Sequence, residues 1–257
     1  MKYSLLYNTD AWILCSILFV LMVGMVYFGL LLRHKAITRA EGLGPVEASL
    51  FGLLALMLAF TFGEADSRFD ARRKIIITEA NNIGTAILRA DMYGDSERLA
   101  FRKDFTAYVE ARINYYEVKR DKAKITVAKE QAGRYAALLW KRAAGLSKDP
   151  ANLAASNQMM PALNAMIDIA TEREAASVAT VPESVLILLF IISLCCSFFI
   201  GYCLEPGKRL NQLAVAGFIF LTTVVIYVII DLDRPRRGII TMDNNQQYIK
   251  DLREMVK

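Results

Sequence analysis

The stretch LAFTFGEADSRFDARRK, residues 58–74, begins as apolar sequence typical of a membrane span and becomes highly charged after Gly63. Beyond that glycine, two acidic residues each precede a basic residue by four positions: Glu64 and Arg68, Asp70 and Lys74. Acid-before-base pairs at this spacing stabilise a helix, and a single glycine costs a helix only about 1 kcal/mol relative to alanine. The stretch therefore predicts one helix that continues from lipid into water.

The same helical pattern extends well to both sides of this stretch. Neither a proline nor a cluster of turn residues interrupts residues 46–91. A helix of about 45 residues is roughly 65 Å long, because each residue adds about 1.5 Å. We expect this helix to carry the central element of a membrane domain directly into a soluble domain.

The composition supports a chain divided between lipid and water. Hydrophobic residues make up 55% of the 257 residues and charged residues 22%, with a mean hydropathy of +0.31. Four uncharged apolar runs occupy residues 11–32, 48–63, 184–204 and 213–230. A spanning helix needs roughly 20 apolar residues, so the short second run predicts an inner helix shielded by the other three or by neighbouring subunits.

These runs predict an all-α, four-span membrane protein with a long helical insert between spans 2 and 3. Within the insert, helical spacing of apolar residues predicts helices from about residue 96 to 116, from 122 to 144 and from 153 to 176. The expected domains are residues 1–63 (spans 1 and 2), 64–181 (the soluble insert), 182–230 (spans 3 and 4) and 231–257 (a tail that packs on the insert).

The charge distribution predicts the orientation in the membrane. Four spans place the insert and both termini on one side, and the two short loops on the other. Basic residues at the termini slightly outnumber those in the short loops, which favours a cytoplasmic insert and cytoplasmic termini, although the first helix alone favours the opposite. All four cysteines lie in the apolar runs. The expectation is a multi-pass protein of a bacterial inner membrane, with lipids as partners.

The second run has two different faces. One carries a stripe of small residues that lets a neighbouring helix approach closely: Ala48, Gly52, Ala55, Ala59 and Gly63. The opposite face is bulky, and its candidate pore residues are Leu54, Leu58, Thr61 and Phe62. This bulky face either packs against other helices or lipid, or forms a hydrophobic constriction when several copies surround an axis.

Charged residues follow the second and fourth apolar runs. The segment DLDRPRRG begins at residue 231, and the combined candidate set is Glu64, Arg68, Arg72, Arg73, Asp231, Asp233 and Arg234. Buried carboxylates at a membrane interface need partners, so one interpretation is an ion-pair cluster that joins the fourth helix to the second. The other is a charged vestibule that selects ions. Because acidic and basic residues are mixed in this set, the sequence does not assign the charge of the permeant ion.

Polar residues also occur on the second helix beyond the charged stretch, in EANNIGTA, residues 79–86. Glu79 and Asn82 either bond to adjacent helices and determine the packing register, or line an aqueous passage continuous with the constriction.

The stretches GLLALMLAFTFGEADSRFDARRKIIITEANNIGTA (residues 52–86) and IIDLDRPRRG (residues 229–238) closely resemble the bestrophin-like domain family of bacterial, archaeal and plant membrane proteins. The resemblance covers nearly the whole chain. It implies a remoter similarity to bestrophins, which are pentameric ion channels whose second helix lines a hydrophobic neck.

That resemblance implies that Leu54, Leu58 and Phe62 are neck residues, and that the termini and the insert are cytoplasmic. Two features of bestrophins are missing from this sequence. No run of consecutive acidic residues, which forms the calcium clasp of animal bestrophins, follows Asp233, and the aromatic, proline-containing neck sequence is absent. Calcium gating is therefore not implied.

Sequence features of enzymes are absent. The single histidine cannot form a metal site alone, no cysteine pair has metal-ligand spacing, and no phosphate loop or nucleophile elbow is present. We expect no enzyme, metal or cofactor. The net charge of +5 needs no partner beyond anionic headgroups, so nucleic acid is not expected.

Three functions remain open from the sequence. The first is a homo-oligomeric, pentameric ion channel with its neck on the second helix. An alternative is a non-conducting scaffold or sensor whose helical domain binds a partner protein. The third is a stator-like proton pathway, for which an essential carboxylate deep in a span would be expected, whereas the centres of the four runs carry none.

Overall fold

The computed structural model describes residues 8–35, 44–118, 121–203, 209–234 and 238–257. Within these ranges the regular secondary structure is helical, as the sequence predicts. The helices are α1 (Ala11–Lys35), α2 (Gly44–Arg89), α3 (Asp95–Glu117), α4 (Lys122–Leu146), α5 (Leu153–Val178), α6 (Glu183–Cys203), α7 (Arg209–Leu232) and α8 (Asp243–Met255). Short 3-10 turns at Ala90–Met92 and Pro150–Asn152 precede α3 and α5.

Helix α2 runs through the opening stretch without a break, which confirms the prediction of a single long helix. It has 46 residues. A side chain added at Gly63 would meet no atom within 4 Å, so nothing at that position requires the helix to end or to bend. The acid-before-base pairing is also present, because Arg68 Nη1 lies 2.7 Å from Glu64 Oε1.

Among the described residues, four segments contain a helix that is long and apolar enough to cross a membrane: Ala11–Arg33, Gly44–Met92, Pro150–Cys203 and Gln212–Leu232. The described residues fall into two compact units. The first unit comprises Met1–Arg68 with Thr180–Arg234, and the second comprises Phe69–Ala179 with Pro235–Lys257.

In the first unit, α1 packs against α6 and α7. The contact with α6 is a backbone contact, because a Cβ atom added at Gly201 would overlap the carbonyl group of Val26, and one added at Gly29 would overlap the backbone of Phe198 and Tyr202. Only glycine permits this approach, which is a common way for helices to associate in membranes.

In the second unit, the C-terminal half of α2 joins α3, α4, α5 and α8 around one hydrophobic core. Large aromatic side chains of α3, such as Phe101, Phe105 and Tyr108, are fully buried there. Helix α4 begins at an N-cap, since the Asp121 side chain accepts hydrogen bonds from two backbone N–H groups. Helix α8 joins the core through its apolar side, including Ile249 and Leu252.

Candidate functional site

The bulky side of α2 is covered by the first unit itself. Leu54 is only 2% exposed and clusters with Ile192 and Cys196 of α6. The ring of Phe51 meets that of Phe218 of α7 edge to face, with centroids 5.4 Å apart. We call this side the inner face of α2, and its members are Leu50, Phe51, Leu54, Met57 and Leu58.

The other side of α2 is open along the same length. Large apolar side chains are exposed there, namely Leu53, Leu56 and Phe60 at 44, 51 and 68%. The stripe of small residues is exposed as well, and a Cβ added at Gly52 would meet no atom. We call Leu53, Leu56, Phe60 and the small-residue stripe the outer face.

The four predicted neck residues are not equivalent in the structure. Leu54 and Thr61 are buried by their own chain, and Thr61 Oγ1 donates a hydrogen bond to the Met57 carbonyl at 2.7 Å. Leu58 is half-buried against the Leu54 cluster, whereas Phe62 is 41% exposed. A side chain covered by its own chain cannot also face a shared axis, so Leu54 and Thr61 are poor candidates for a neck, and the pore-lining role of the other two stays a prediction.

An ion pair joins α2 to the end of α7. Arg68 Nε donates to Asp233 Oδ1 at 3.0 Å, and Asp233 is 1% exposed. The second oxygen of Asp233 accepts from the backbone N–H of Val181 at 2.6 Å, just before α6. One buried carboxylate therefore connects three segments, and a vestibule role for the charged set stays a prediction.

The remaining members of the predicted charged cluster have other surroundings. Asp231 is buried and accepts from the hydroxyl of Tyr227 at 3.4 Å, and Arg234 donates to the carbonyl of Thr9. In the second unit, Arg72 donates through Nε to the Ala176 carbonyl at 3.0 Å. Arg73, also in the second unit, is exposed. The seven charged residues are thus divided between the two units.

The second unit contains a buried charge network centred on Glu79 of α2, which is 0% exposed. Arg112 of α3 donates through Nε to Glu79 Oε1 at 2.6 Å, and Arg173 of α5 donates to Glu79 Oε2. The hydroxyl of Tyr116 lies 3.4 Å from the same oxygen. Two guanidinium groups therefore enclose one carboxylate.

The network extends to α8 and includes an aromatic ring. Arg173 Nη2 donates to Gln246 Oε1 at 3.1 Å, and the Arg173 guanidinium carbon lies 3.3 Å from the centroid of the Tyr116 ring. Burial lowers the pKa of Arg112, but the charge and hydrogen bond of Glu79, together with the nearby Tyr116 and Tyr108, outweigh burial, so the pKa is raised. We call Glu79, Arg112, Tyr116, Arg173 and Gln246 the buried charge network.

Sequence reasoning identified Glu79 but neither of its arginine partners. A signal for Arg112 was present, because a cation follows Tyr108 by four positions on the apolar side of α3. Asn82, the other polar residue singled out, donates to the Ala165 carbonyl of α5 at 3.1 Å. Glu79 and Asn82 therefore each bond to an adjacent helix, and an aqueous passage lined by them stays a prediction.

Among the residues that the structure describes, no group of three or more His, Cys, Asp or Glu side chains could hold a metal ion. The two charged arrangements are built from arginine–carboxylate pairs, which favour charge neutralisation and helix fixation over metal binding.

Comparison with solved structures supports a known fold. A single-residue variant of a bacterial bestrophin homologue from Klebsiella pneumoniae superposes with a TM-score of 0.74 at 11% identity, covering 96% of this chain and 97% of that one. Another crystal structure of that homologue gives 0.70 at 12% identity, with 94 and 96% covered. At such identities the likeness concerns the fold.

Sequence comparison is decisive for the family. No curated protein matches the chain. The family model described as Bestrophin-like domain, however, matches residues 14–244, which is most of the 257 residues. This multi-span helical membrane protein belongs to the bestrophin-like domain family.

Proposed function

We propose that this protein is a pentameric ion channel of bestrophin-like architecture, with α2 lining its pore. The observation that carries the proposal is the outer face of α2, where an apolar, uncharged span leaves both bulky and small side chains uncovered by its own chain. The similarity in fold to bacterial bestrophin homologues supports the same conclusion.

Two parts of the outer face suit two different roles. Gly52, Gly63 and the alanines between them allow the close approach of a second helix, which favours self-association. Leu53, Leu56 and Phe60 follow one another by three and four positions and lie on one side of the helix. We assign the hydrophobic neck to these three residues, with Phe62 at its edge, in place of the covered Leu54 and Thr61.

The ion pairs at the end of the span have a supporting role in this proposal. Arg68, paired with the buried Asp233, holds α2 against α7 at the point where the apolar run ends. Glu64 is 67% exposed on its side chain, so it is the member of the charged set best suited to a vestibule. The protein lies in the cell membrane among lipids, with the large helical unit and both termini in the cytoplasm.

The test is ion flux through liposomes that contain the purified protein. The variant Leu56→Ala with Phe60→Ala shrinks the proposed neck, and potassium and chloride are measured separately. Because a hydrophobic constriction conducts poorly when dry, shrinking it should raise flux at least several-fold. The ion that flows identifies the selectivity.

The matched control is Leu54→Ala with Met57→Ala on the inner face. These substitutions leave cavities inside one chain and should lower thermal stability without the same gain in flux. Equal flux from both double variants would contradict the assignment of the neck to the outer face. No flux from any protein in verified, folded oligomers would contradict the channel and favour a membrane scaffold.

A further inference from the structure

The second unit contains an open pocket beside the buried charge network. Helices α2, α3 and α5 and the α8 region contribute to its wall. Its polar lining includes Arg173 and Gln246, and its apolar lining includes Ile76, Ala176 and Met242. The pocket therefore combines a cationic group with an apolar surface that can contact a hydrocarbon group.

The charges of the network are unequal among the side chains that the structure describes. The carboxylate of Glu79 lies between the guanidinium groups of Arg112 and Arg173, whose side chains are 5 and 8% exposed. Two positive charges thus accompany one negative charge. A buried charge without compensation is costly, so a further anion beside this network would be stabilising.

Donor groups are available for such an anion. A guanidinium has five N–H donors, and the described bonds of Arg173 occupy two of its nitrogens, one toward Glu79 and one toward Gln246. Gln246 uses its oxygen as an acceptor in the second bond, which leaves the amide N–H₂ of Gln246 to donate elsewhere. A guanidinium beside an amide donor suits the two oxygens of a carboxylate.

We propose that this pocket binds a small organic carboxylate, with its charged group on Arg173 and Gln246 and its carbon skeleton against Ile76, Met242 and the Tyr116 ring. The apolar lining distinguishes an organic anion from chloride or phosphate, because an inorganic ion would leave that surface without a partner. The site lies outside the proposed neck, and its ligand need not be the permeant ion.

The first experiment places a carboxylate in the pocket by mutation. Gln246→Glu would add a negative charge where the oxygen of Gln246 already lies 3.1 Å from Arg173. We expect a higher Tm of the purified full-length protein in detergent. The matched control is Gln131→Glu at an exposed position on α4, which should leave the Tm unchanged.

The second experiment adds benzoate as the probe, with chloride at the same ionic strength as its reference. Benzoate at about ten times its Kd should raise the Tm of the wild type by about 3 °C or more. It should have no effect on Gln246→Glu, whose own carboxylate occupies the site, and should raise the Tm of Gln131→Glu as much as that of the wild type.

Several results would overturn the proposal. A lower Tm for Gln246→Glu beside an unchanged Gln131→Glu would mean that the network is already neutral. Equal stabilisation by chloride and benzoate would exclude an organic ligand. If Gln246→Glu fails to fold, Ala176→Leu fills the pocket without changing a charge, and benzoate binding that persists in calorimetry would refute the site. None of these measurements depends on ion flux.

Discussion

Glu79 shows how much one buried carboxylate can organise. It lies on α2, and its oxygens receive donors from α3 and α5, so three helices meet at a single charged side chain. Buried ion pairs add little stability compared with apolar residues, but removing one partner is costly because the other charge stays buried. The value of Glu79 is therefore in determining which helices pack together.

We predict that Glu79→Gln will lower the free energy of unfolding by about 3–5 kcal/mol, because two buried guanidinium groups lose their counter-charge. Thermal or chemical unfolding of the purified protein in detergent measures this. The control is Glu174→Gln, which breaks an exposed ion pair. In that pair the side chain of Lys129 is 51% exposed and that of Glu174 is 42% exposed. That change should cost about 1 kcal/mol or less, and similar losses in both variants would contradict the role of Glu79.

A second prediction concerns Gly201, where α6 touches the backbone of α1. Gly201→Ala should separate the two helices and lower the Tm by several degrees, because the added methyl group meets a rigid carbonyl group. In the control, Gly24→Ala on α1, the added Cβ meets no atom within 4 Å. That variant should be as stable as the wild type or slightly more stable, so equal losses would exclude the close approach.

At the scale of the element, α8 is held to the second unit by both apolar and charged contacts. Ile249 and Leu252 enter the core, Arg253 forms two hydrogen bonds with Glu110 of α3 at 2.6 and 2.8 Å, and Lys250 pairs with Glu117 at 3.0 Å. Apolar burial of this kind stabilises the contact, whereas each of these partly exposed ion pairs adds about 1 kcal/mol or less.

The attachment of α8 should depend on acidity. The hydrogen bond from Arg253 lowers the pKa of Glu110 below its ordinary value of 4.5. A carboxyl group with a lowered pKa stabilises the folded state above its ordinary pKa, and that contribution is lost as the pH falls through the folded pKa. Amide hydrogen exchange across α8, corrected for the intrinsic rate, should become faster below about pH 4.

The control for this prediction is Glu110→Gln. In that variant α8 should already exchange faster at pH 7, and its corrected exchange should change less between pH 5 and 3 than in the wild type. If the two proteins lose protection in parallel on acidification, groups other than Glu110 are responsible.

At the scale of the whole molecule, the proposed orientation can be tested by labelling. A cysteine introduced at the exposed Glu130 in the helical insert should react with a membrane-impermeant maleimide only after cells are permeabilised, because we place that unit in the cytoplasm. A cysteine at Thr38, between the first two apolar runs, should react in intact cells. The four native cysteines lie in the spans, and the unmodified protein measures their background. The reverse labelling pattern would invert the orientation.

Self-association belongs to the same scale. The small-residue stripe of α2 is exposed in the single chain, and its close approach to a second copy is part of the proposed pentamer. Ala59→Phe should therefore weaken the oligomer, as measured by native mass spectrometry from detergent, whereas Phe60→Leu should preserve it. An unchanged oligomer in Ala59→Phe would place the interface elsewhere.

Several features of the protein could be predicted because they depend on neighbouring residues in the chain. The continuity of α2 follows from acid–base pairs four residues apart and from the lack of prolines. The four apolar segments follow from the length of uncharged sequence needed to cross lipid. The sequence also indicated that the charges at the ends of the second and fourth runs need partners, but not that Arg68 pairs with Asp233.

What only the tertiary structure decided is which side of α2 is covered. Both sides of its apolar run are compatible with burial, so periodicity cannot tell that Leu54 packs on Ile192 while Phe60 stays exposed. The partners of Glu79 were equally hidden, since Arg112 and Arg173 lie 33 and 94 residues away along the chain. Sequence by itself determined the helices and their membrane segments through local physics, and the packing of distant segments determined the faces and the charge partners.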